Sequence, residues 1–173
     1  MALGNDDELI VELDGSQLKS SVSFKYLGSS LQRDGGLDAE IQHRLNCGWF
    51  NWRRMSGVIC DKRVNCKMKG KVYRSVVRPS TLFGTNTWLV SKRQEKKMEV
   101  AERRMLRWMC GVTRIDRIRN EEIRGTVGVV PLGRRMQEAR MRWFGHVQRR
   151  KEDYVERRML DLDLGGRRGR GRC

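Results

Sequence analysis

The stretch Ser91–Gly111, SKRQEKKMEVAERRMLRWMCG, is the clearest helix in the sequence and decides the fold class. Apolar residues recur along it at spacings of three and four, which is the period of one buried helix face. This stripe consists of Met98, Ala101, Met105, Trp108 and Met109. Ser91 followed by Gln94 fits a capping box at the N-terminus, and Gly111 fits the left-handed residue that often ends a helix.

The same period predicts helices on both sides of this segment. Upstream, a helix over 37–58 carries a wide apolar stripe. That stripe consists of Leu37, Ile41, Leu45, Trp49, Trp52 and Met55. Downstream, a short charged helix over 114–125 and a longer one over 132–150 are predicted. The inward residues of the longer helix are expected to be Leu132, Met136, Ala139, Trp143 and Val147.

Another helix is predicted over 64–77, between the first helix and the central one. The expected inward residues are Met68, Val72 and Val76. This phase puts the bases on the outer face, namely Lys67, Lys69, Lys71 and Arg74. Because Pro79 disfavours helical backbone at Arg78, the helix is expected to end there, and residues 79–90 are expected to form a loop.

The first 36 residues indicate β structure instead. Asp14-Gly15 is typical of a hairpin turn, and Val22, Phe24 and Tyr26 alternate with polar residues, as in a half-buried strand. Gly28 interrupts that strand and allows close approach by another backbone. The fold class is therefore mainly α with a small N-terminal β-hairpin. The Arg/Gly-rich tail within 161–173 is predicted to be disordered.

The charge of the chain points to a polyanionic partner. The 173 residues include 37 Lys and Arg against 21 Asp and Glu, which gives a net charge of +16. Residues 1–34 hold six acids and three bases, so residues 35–173 carry +19. Of the 37 bases, 27 are Arg, whose planar fork suits phosphate recognition. Nucleic acid is the expected partner.

No catalytic or metal-binding constellation is predicted. Two-metal chemistry needs clustered carboxylates, and the candidate pairs lie near the two ends of the chain, at 6–7 and 161–163. His43 and His146 lack the partners of a hydrolytic triad, and the spacing from His43 to Cys66 fits no zinc knuckle. The sequence also contains no glycine-rich phosphate loop. We therefore expect no cofactor.

The number of cysteines and the hydropathy of the chain indicate where in the cell the protein is expected to be. Five scattered cysteines are interpreted as reduced thiols of an intracellular protein. No apolar run is long enough to cross a bilayer, so no membrane partner is expected, and the basic tail is compatible with nuclear residence. The tryptophans on predicted stripes are interpreted as core residues, with stacking on bases as the alternative.

Several blocks of sequence, in order, match a known family. They are Phe24–Ser29 (FKYLGS), Asp34-Gly35, Glu40-Ile41, Arg44, Lys71–Pro79 (KVYRSVVRP), Leu82–Gly84 (LFG), Arg107-Trp108, Asp116–Ile123 (DRIRNEEI) and Arg142–Val147 (RWFGHV). Together they resemble the carboxy-terminal part of the reverse transcriptase of non-LTR retrotransposons. RTE-type, BovB-like long interspersed elements are the most similar, and the resemblance covers about residues 10–172.

The resemblance implies roles for particular residues. A primer-grip-like hairpin would be formed by Phe24, Tyr26, Leu27 and Gly28. The backbone of a template-primer duplex would lie against Lys67, Lys69, Lys71, Arg74 and Arg78. A post-thumb block adds the nucleic-acid-binding candidates Arg140, Arg142, His146, Arg149 and Arg150. The implied order is a palm-edge hairpin (1–36), thumb-like helices (37–112), post-thumb helices (113–160) and the disordered tail (161–173).

The chain departs from the family's pattern in two respects. The catalytic aspartates and the endonuclease of the family precede the matching region, so the resemblance implies a fragment that does not polymerise by itself. Mg²⁺ would serve only the intact parent polymerase. Two alternatives remain at this point. In the first, the chain is a non-catalytic interaction module that self-associates through an exposed strand edge. In the second, it is a translated relic without a selected function.

Overall fold

The computed structural model of the chain describes residues 12–13, 16–17, 21–26 and 28–160. The strands are β1 (Glu12–Leu13), β2 (Ser16–Gln17), β3 (Ser23–Tyr26) and β4 (Ser29–Gln32). They form two antiparallel hairpins, in which β1 pairs with β2 and β3 with β4. Every other described element is helical. The prediction of a mainly α fold with a small N-terminal β-hairpin is confirmed, whereas Leu27 and the tail 161–173 lie outside the described residues.

Nine helical segments occupy the rest of the described chain. In order they are α1 (Asp38–Arg54), α2 (Ser56–Ile59), α3 (Cys66–Val72), a π-helical turn (Tyr73–Val77), α4 (Arg78–Leu82), α5 (Lys92–Cys110), α6 (Asn120–Val127), α7 (Leu132–Gln148) and α8 (Val155–Leu160). None of the helices in this part of the chain has both the length and the apolar character that a membrane crossing requires.

The central helix α5 begins and ends as its sequence predicts. The Ser91 hydroxyl accepts from the Gln94 backbone N–H, and the Gln94 side chain accepts in return from the Ser91 N–H. At the other end, Gly111 adopts φ = 67°, the left-handed conformation that glycine tolerates best. These two caps satisfy backbone groups that a helix terminus otherwise leaves without partners.

Helix α5 runs through both hydrophobic clusters of the described structure. Its N-terminal half supplies Met98 and Ala101 to one cluster, which also contains Ile41, Leu45, Trp88, Leu132 and Met136. Its C-terminal half supplies Met105, Leu106 and Met109 to the other, which also contains Trp52, Ile59, Tyr73, Val77, Ile123, Val127 and Val129. Helices α1, α6 and α7 therefore share their cores with α5, because each buries its apolar face against it.

A buried ion pair connects α4 to α5. The Arg78 guanidinium donates to Glu102 Oε1 at 2.6 Å, and both side chains are almost completely buried. The Tyr73 hydroxyl donates to the same oxygen at 3.0 Å. Burial, followed by the nearby Glu102 charge, raises the pKa of Tyr73 well above its usual value of 10. Arg78 also donates to the Val130 carbonyl, so one guanidinium joins three segments.

The phase predicted for 64–77 is wrong. Lys69, Gly70, Tyr73 and Val77 are buried, whereas Met68 and Val76 are 53% and 37% exposed. The buried face thus lies one residue further along than the apolar pattern indicates. It is set by close packing, since a Cβ on Gly70 would clash with the Val127 carbonyl oxygen.

The predicted helix end before Pro79 is also wrong, because the helix continues through Arg78 to Leu82. Pro79 is tolerated since it occupies the first turn of α4, directly after the π-helical turn. A proline has no N–H to donate and normally breaks the regular hydrogen-bond ladder of an α-helix. The π-helical turn changes that ladder immediately before it.

Other side chains depart from their predicted burial. Trp108 is 58% exposed, although the other members of the α5 stripe are buried. Val22, Phe24 and Tyr26 are all exposed, so β3 is not the half-buried strand that its alternation predicts. The predicted helix over 114–125 starts later, at Asn120, and Ile115 is exposed. A two-stranded hairpin has no second layer of its own, so alternation alone cannot bury one of its faces.

We predict that Glu102→Leu lowers the free energy of unfolding by about 3–5 kcal/mol, because it leaves the Arg78 guanidinium buried without its carboxylate. Urea denaturation followed by circular dichroism measures this. Glu138→Leu breaks only exposed pairs with Arg134 and Arg135 and should cost less than about 1 kcal/mol. Equal losses in the two variants would show that the buried pair is not structurally important.

Candidate nucleic-acid interface

A basic groove of about 650 Å³ lies between α7 and the segment that follows α4. We call it the α7 groove. Leu82, Thr85 and Asn86 form one wall, and the other wall is made by residues spaced at three and four along α7. Those residues are Arg135, Ala139, Arg142, Trp143, His146 and Arg149. One face of a single helix therefore presents three guanidinium groups, an imidazole and an indole to the same concave surface.

Two of the three arginines that line this groove are available to an external ligand. Arg142 and Arg149 are exposed, and within the described residues neither lies within 4.0 Å of a carboxylate. Arg135 instead donates to Glu138 at 2.8 Å. Arg150 lies beside the groove, 3.2 Å from His146 Nε2 and over the Tyr154 ring. The α7 groove is therefore an electropositive concavity.

The bases of α3 do not form the single outward face that the sequence predicts, and the base of α4 is also buried. Lys67 and Lys71 are exposed. Lys69 is buried, and its ammonium donates to the Met109 carbonyl at 3.0 Å, so it binds the C-terminal end of α5. Arg78 is buried in its pair with Glu102. The outward placement of Lys69 is therefore wrong, because its ammonium satisfies a partner inside the protein. Arg78, for which the resemblance implies a contact with the duplex, is likewise used inside the protein.

Two other predicted bases lie away from the α7 groove. Arg74 is exposed but donates to the Gly128 carbonyl, which connects the π-helical turn to the end of α6. Arg140 lies on another side of α7, in a cavity whose lining includes Glu95 and Glu99. Arg140 and Arg142 point to different sides of α7, because residues two apart on an α-helix are separated by about 200° around its axis. The structure thus separates Arg140 from Arg142 and Arg149.

Three of the primer-grip-like residues, Phe24, Tyr26 and Gly28, lie in β3 and in the turn that follows it. Phe24 and Tyr26 are exposed on the same face of β3, with ring centroids 6.5 Å apart. Gly28 has φ = 83° in the turn. Its carbonyl accepts from the Arg44 guanidinium at 2.6 Å. Leu27 lies outside the described residues.

Helix α1 holds this hairpin through a buried pair of side chains. Arg44 donates to Glu40 Oε1 at 2.7 Å, four residues earlier on the same helix. Glu40 Oε2 accepts from the Ser30 backbone N–H at 2.6 Å, while Arg44 binds the Gly28 carbonyl. The two side chains therefore satisfy both a donor and an acceptor of the β3–β4 hairpin.

A second basic groove, of about 440 Å³, lies between α1 and α5 and was not predicted from the sequence. We call it the α1–α5 groove. It is lined by Gln42, Leu45, Trp49, Arg93, Lys96, Lys97, Val100, Ala101 and Arg104. The helical spacing of the basic residues along α5 could have revealed this groove. The stripe that buries Met98 and Met105 leaves Arg93, Lys97 and Arg104 together on another face.

The described residues contain no group of three or more His, Cys, Asp or Glu side chains that could hold a metal ion. His43 Nε2 lies 3.7 Å from Cys47 Sγ, but these two residues have no further potential ligand with them. Four cysteines in this part of the chain, Cys47, Cys60, Cys66 and Cys110, are free thiols. Burial, followed by the neighbouring Cys66, raises the pKa of Cys110 to about 11.

We predict that an amine-reactive ester acetylates Lys67 and Lys71 much faster than Lys69. The Lys69 ammonium is buried and hydrogen-bonded, so its labelling requires local opening. Peptide mass spectrometry after brief labelling measures the three rates, and labelling in urea, where they should converge, is the control. Equal rates in the folded protein would contradict the buried placement of Lys69.

One comparison with known proteins bears on the origin of the chain. It is 24% identical over 144 residues to an uncharacterized transposon-derived protein of Caenorhabditis elegans. The alignment covers 79% of this chain and 50% of that protein, so the chain spans about half the length of the curated relative it matches. No protein-family model matches the chain. No solved structure matches it either. The chain is thus similar to a protein of transposon origin.

Proposed function

We propose that this chain is a nucleic-acid-binding module that holds RNA, DNA or their hybrid through phosphate contacts in the α7 groove. The observation that carries the proposal is the pair of exposed guanidiniums, Arg142 and Arg149, which have no carboxylate partner among the described residues. Arginine binds phosphate through two parallel charge-assisted hydrogen bonds. A concave surface that carries several such groups fits a phosphate backbone better than it fits an isolated anion.

The overall charge supports the same partner. A net charge of +16 attracts polyanions at distances up to about a Debye length. The contacts are made to phosphates, which carry no direct sequence information, so binding is sequence-tolerant. Trp143 lies in the groove as well, where its indole adds an apolar surface beside the guanidiniums.

We further propose that the module descends from the thumb and post-thumb part of a non-LTR retrotransposon reverse transcriptase of the RTE type. The ordered blocks from FKYLGS to RWFGHV support this origin. The similarity to a transposon-derived nematode protein agrees with it at a coarser level. In this scheme the β3–β4 hairpin corresponds to the primer grip, and α7 belongs to the post-thumb region.

We predict that Arg142→Ala with Arg149→Ala weakens duplex binding and lowers the slope of log K against log salt by about 1.8, since each lost contact removes about 0.9. Fluorescence anisotropy with a labelled DNA duplex at several salt concentrations measures both quantities. Lys62→Ala with Arg119→Ala is the matched control, because it removes the same charge from exposed positions outside both grooves.

An unchanged slope in the α7 variant would overturn the assignment of the α7 groove. Light scattering at high salt tests the alternative function, which the exposed apolar face of Val22, Phe24 and Tyr26 favours. An oligomer that persists when phosphate binding is suppressed would support an interaction module in place of a nucleic-acid-binding one.

We propose that binding is the whole contribution of this chain and that it does not polymerise alone. Primer extension by the purified chain with Mg²⁺ or Mn²⁺ should give no incorporation above a protein-free reaction, because the chemistry needs paired metal ions held by carboxylates. Incorporation that copurifies with the chain and disappears in a carboxylate variant would contradict this proposal.

A further inference from the structure

The α1–α5 groove is formed by two helices that run side by side in the same direction. Near their N-termini, Asp38 lies 3.9 Å from Arg93. Near their C-termini, the Trp52 and Trp108 ring centroids are 5.4 Å apart. The floor between them is apolar, because Leu45 and Ala101 are buried at 5% and 9% exposure. The groove therefore follows the helix axes, and its lining ends at Trp49 on α1 and Arg104 on α5.

The α5 wall of this groove is a row of cations. Lys96, Lys97 and Arg104 are exposed and form no salt bridge with any described residue. Arg93 has only the distant, solvent-exposed contact with Asp38. From Arg93 to Arg104 the row extends about 16 Å along the helix, at 1.5 Å per residue. Such a row can follow a chain of several negative charges.

The exposed indole of Trp108 lies just beyond the C-terminal end of the groove, about one turn of α5 after Arg104, and packs on two other indoles. Trp49, Trp52 and Trp108 pack together with ring centroids 5.4–5.8 Å apart. Trp52 is buried at 6% exposure, whereas Trp108 remains 58% exposed. Two neighbouring indoles therefore restrict the Trp108 ring while leaving part of it open. A restricted ring loses little conformational entropy when a ligand stacks on it.

We propose that the α1–α5 groove binds a single-stranded segment of nucleic acid. Its phosphates lie along Arg93, Lys97 and Arg104, and a base stacks on Trp108. Single-strand sites combine a basic groove with aromatic platforms in this way. A base in a duplex already has its faces covered by neighbouring base pairs, so only an unpaired base can use the indole. An acidic peptide would satisfy the cations but would leave the aromatic end without a partner.

This inference rests on the proposed nucleic-acid function but concerns a different surface. The α7 groove contacts phosphates of either a duplex or a single strand. The α1–α5 groove adds a preference for unpaired nucleotides, so the chain would hold a junction between duplex and single strand better than a blunt duplex. The two surfaces can be inactivated separately, since they share no lining residue.

The test compares three labelled ligands with the full chain by fluorescence anisotropy: a short oligothymidylate, an abasic oligonucleotide of the same length, and a blunt duplex. Trp108→Ala should weaken thymidylate binding about tenfold, the size expected for one lost base–aromatic stack. It should leave abasic and duplex binding unchanged. Trp108→Phe should retain most of the thymidylate affinity, because it keeps an aromatic face.

The cations are tested with a second, charge-matched pair of variants. Lys97→Ala with Arg104→Ala should lower the salt slope for the thymidylate by about 1.4, since each phosphate contact to a single strand contributes about 0.7. Lys62→Ala with Arg119→Ala removes the same charge elsewhere and should leave that slope unchanged. Circular dichroism confirms that each variant is folded before it is compared.

The outcomes separate this inference from the proposed function. Equal losses of thymidylate and abasic binding in Trp108→Ala would overturn base stacking, and polyglutamate that competes as well as thymidylate would assign the groove to acidic polypeptides. The α1–α5 site alone would be rejected if its variants bound the thymidylate as tightly as the wild-type chain while the Arg142 and Arg149 variant lost duplex affinity. Failure of the wild-type chain to bind any of the three ligands at low salt would reject both proposals.

Discussion

The buried contact of Arg78 with Glu102 constrains the rest of the helical structure. Glu102 lies near the middle of α5, and its Oε1 atom accepts from both Arg78 and the Tyr73 hydroxyl. Arg78 also binds the Val130 carbonyl, which lies just before α7 begins. One carboxylate oxygen and one guanidinium thereby fix α4, α5 and the approach to α7. Buried charges are tolerated only when they are paired in this way, so these segments cannot shift independently.

The position of the α7 groove follows from that constraint. One wall of the groove is the segment after α4, and the other is α7 itself. Both walls are attached to the Arg78–Glu102 pair, directly or through Val130. The buried cation therefore positions the exposed cations, even though the ligand itself would contact only the exposed ones. A site built on helices that are fixed in this way holds its side chains more precisely than a site on loops.

Several residues in the blocks that resemble reverse transcriptases hold parts of the fold together through hydrogen bonds. Glu40 and Arg44 hold the β3–β4 hairpin, and Arg78 joins α4, α5 and the loop just before α7. Arg107 donates to the Thr113 and Ile118 carbonyls and so fixes the loop after α5. Four residues that look like parts of a basic or charged surface are thus used inside the fold. This use reduces the number of cations available to a ligand below the number that composition suggests.

The amino-acid sequence suffices to predict the helices whose signals are local. The capping box at Ser91, the glycine at 111 and the three-and-four spacing of α5 specify a helix with its ends and its inward face. The net charge likewise follows from composition. Tertiary structure alone decided which cations are exposed. Lys69 and Arg78 are buried because Met109 and Glu102 lie opposite them, and Trp108 is exposed because Trp49 and Trp52 cover only part of its ring. These partners are distant in sequence, and periodicity within one helix carries no information about what a neighbouring helix places against it.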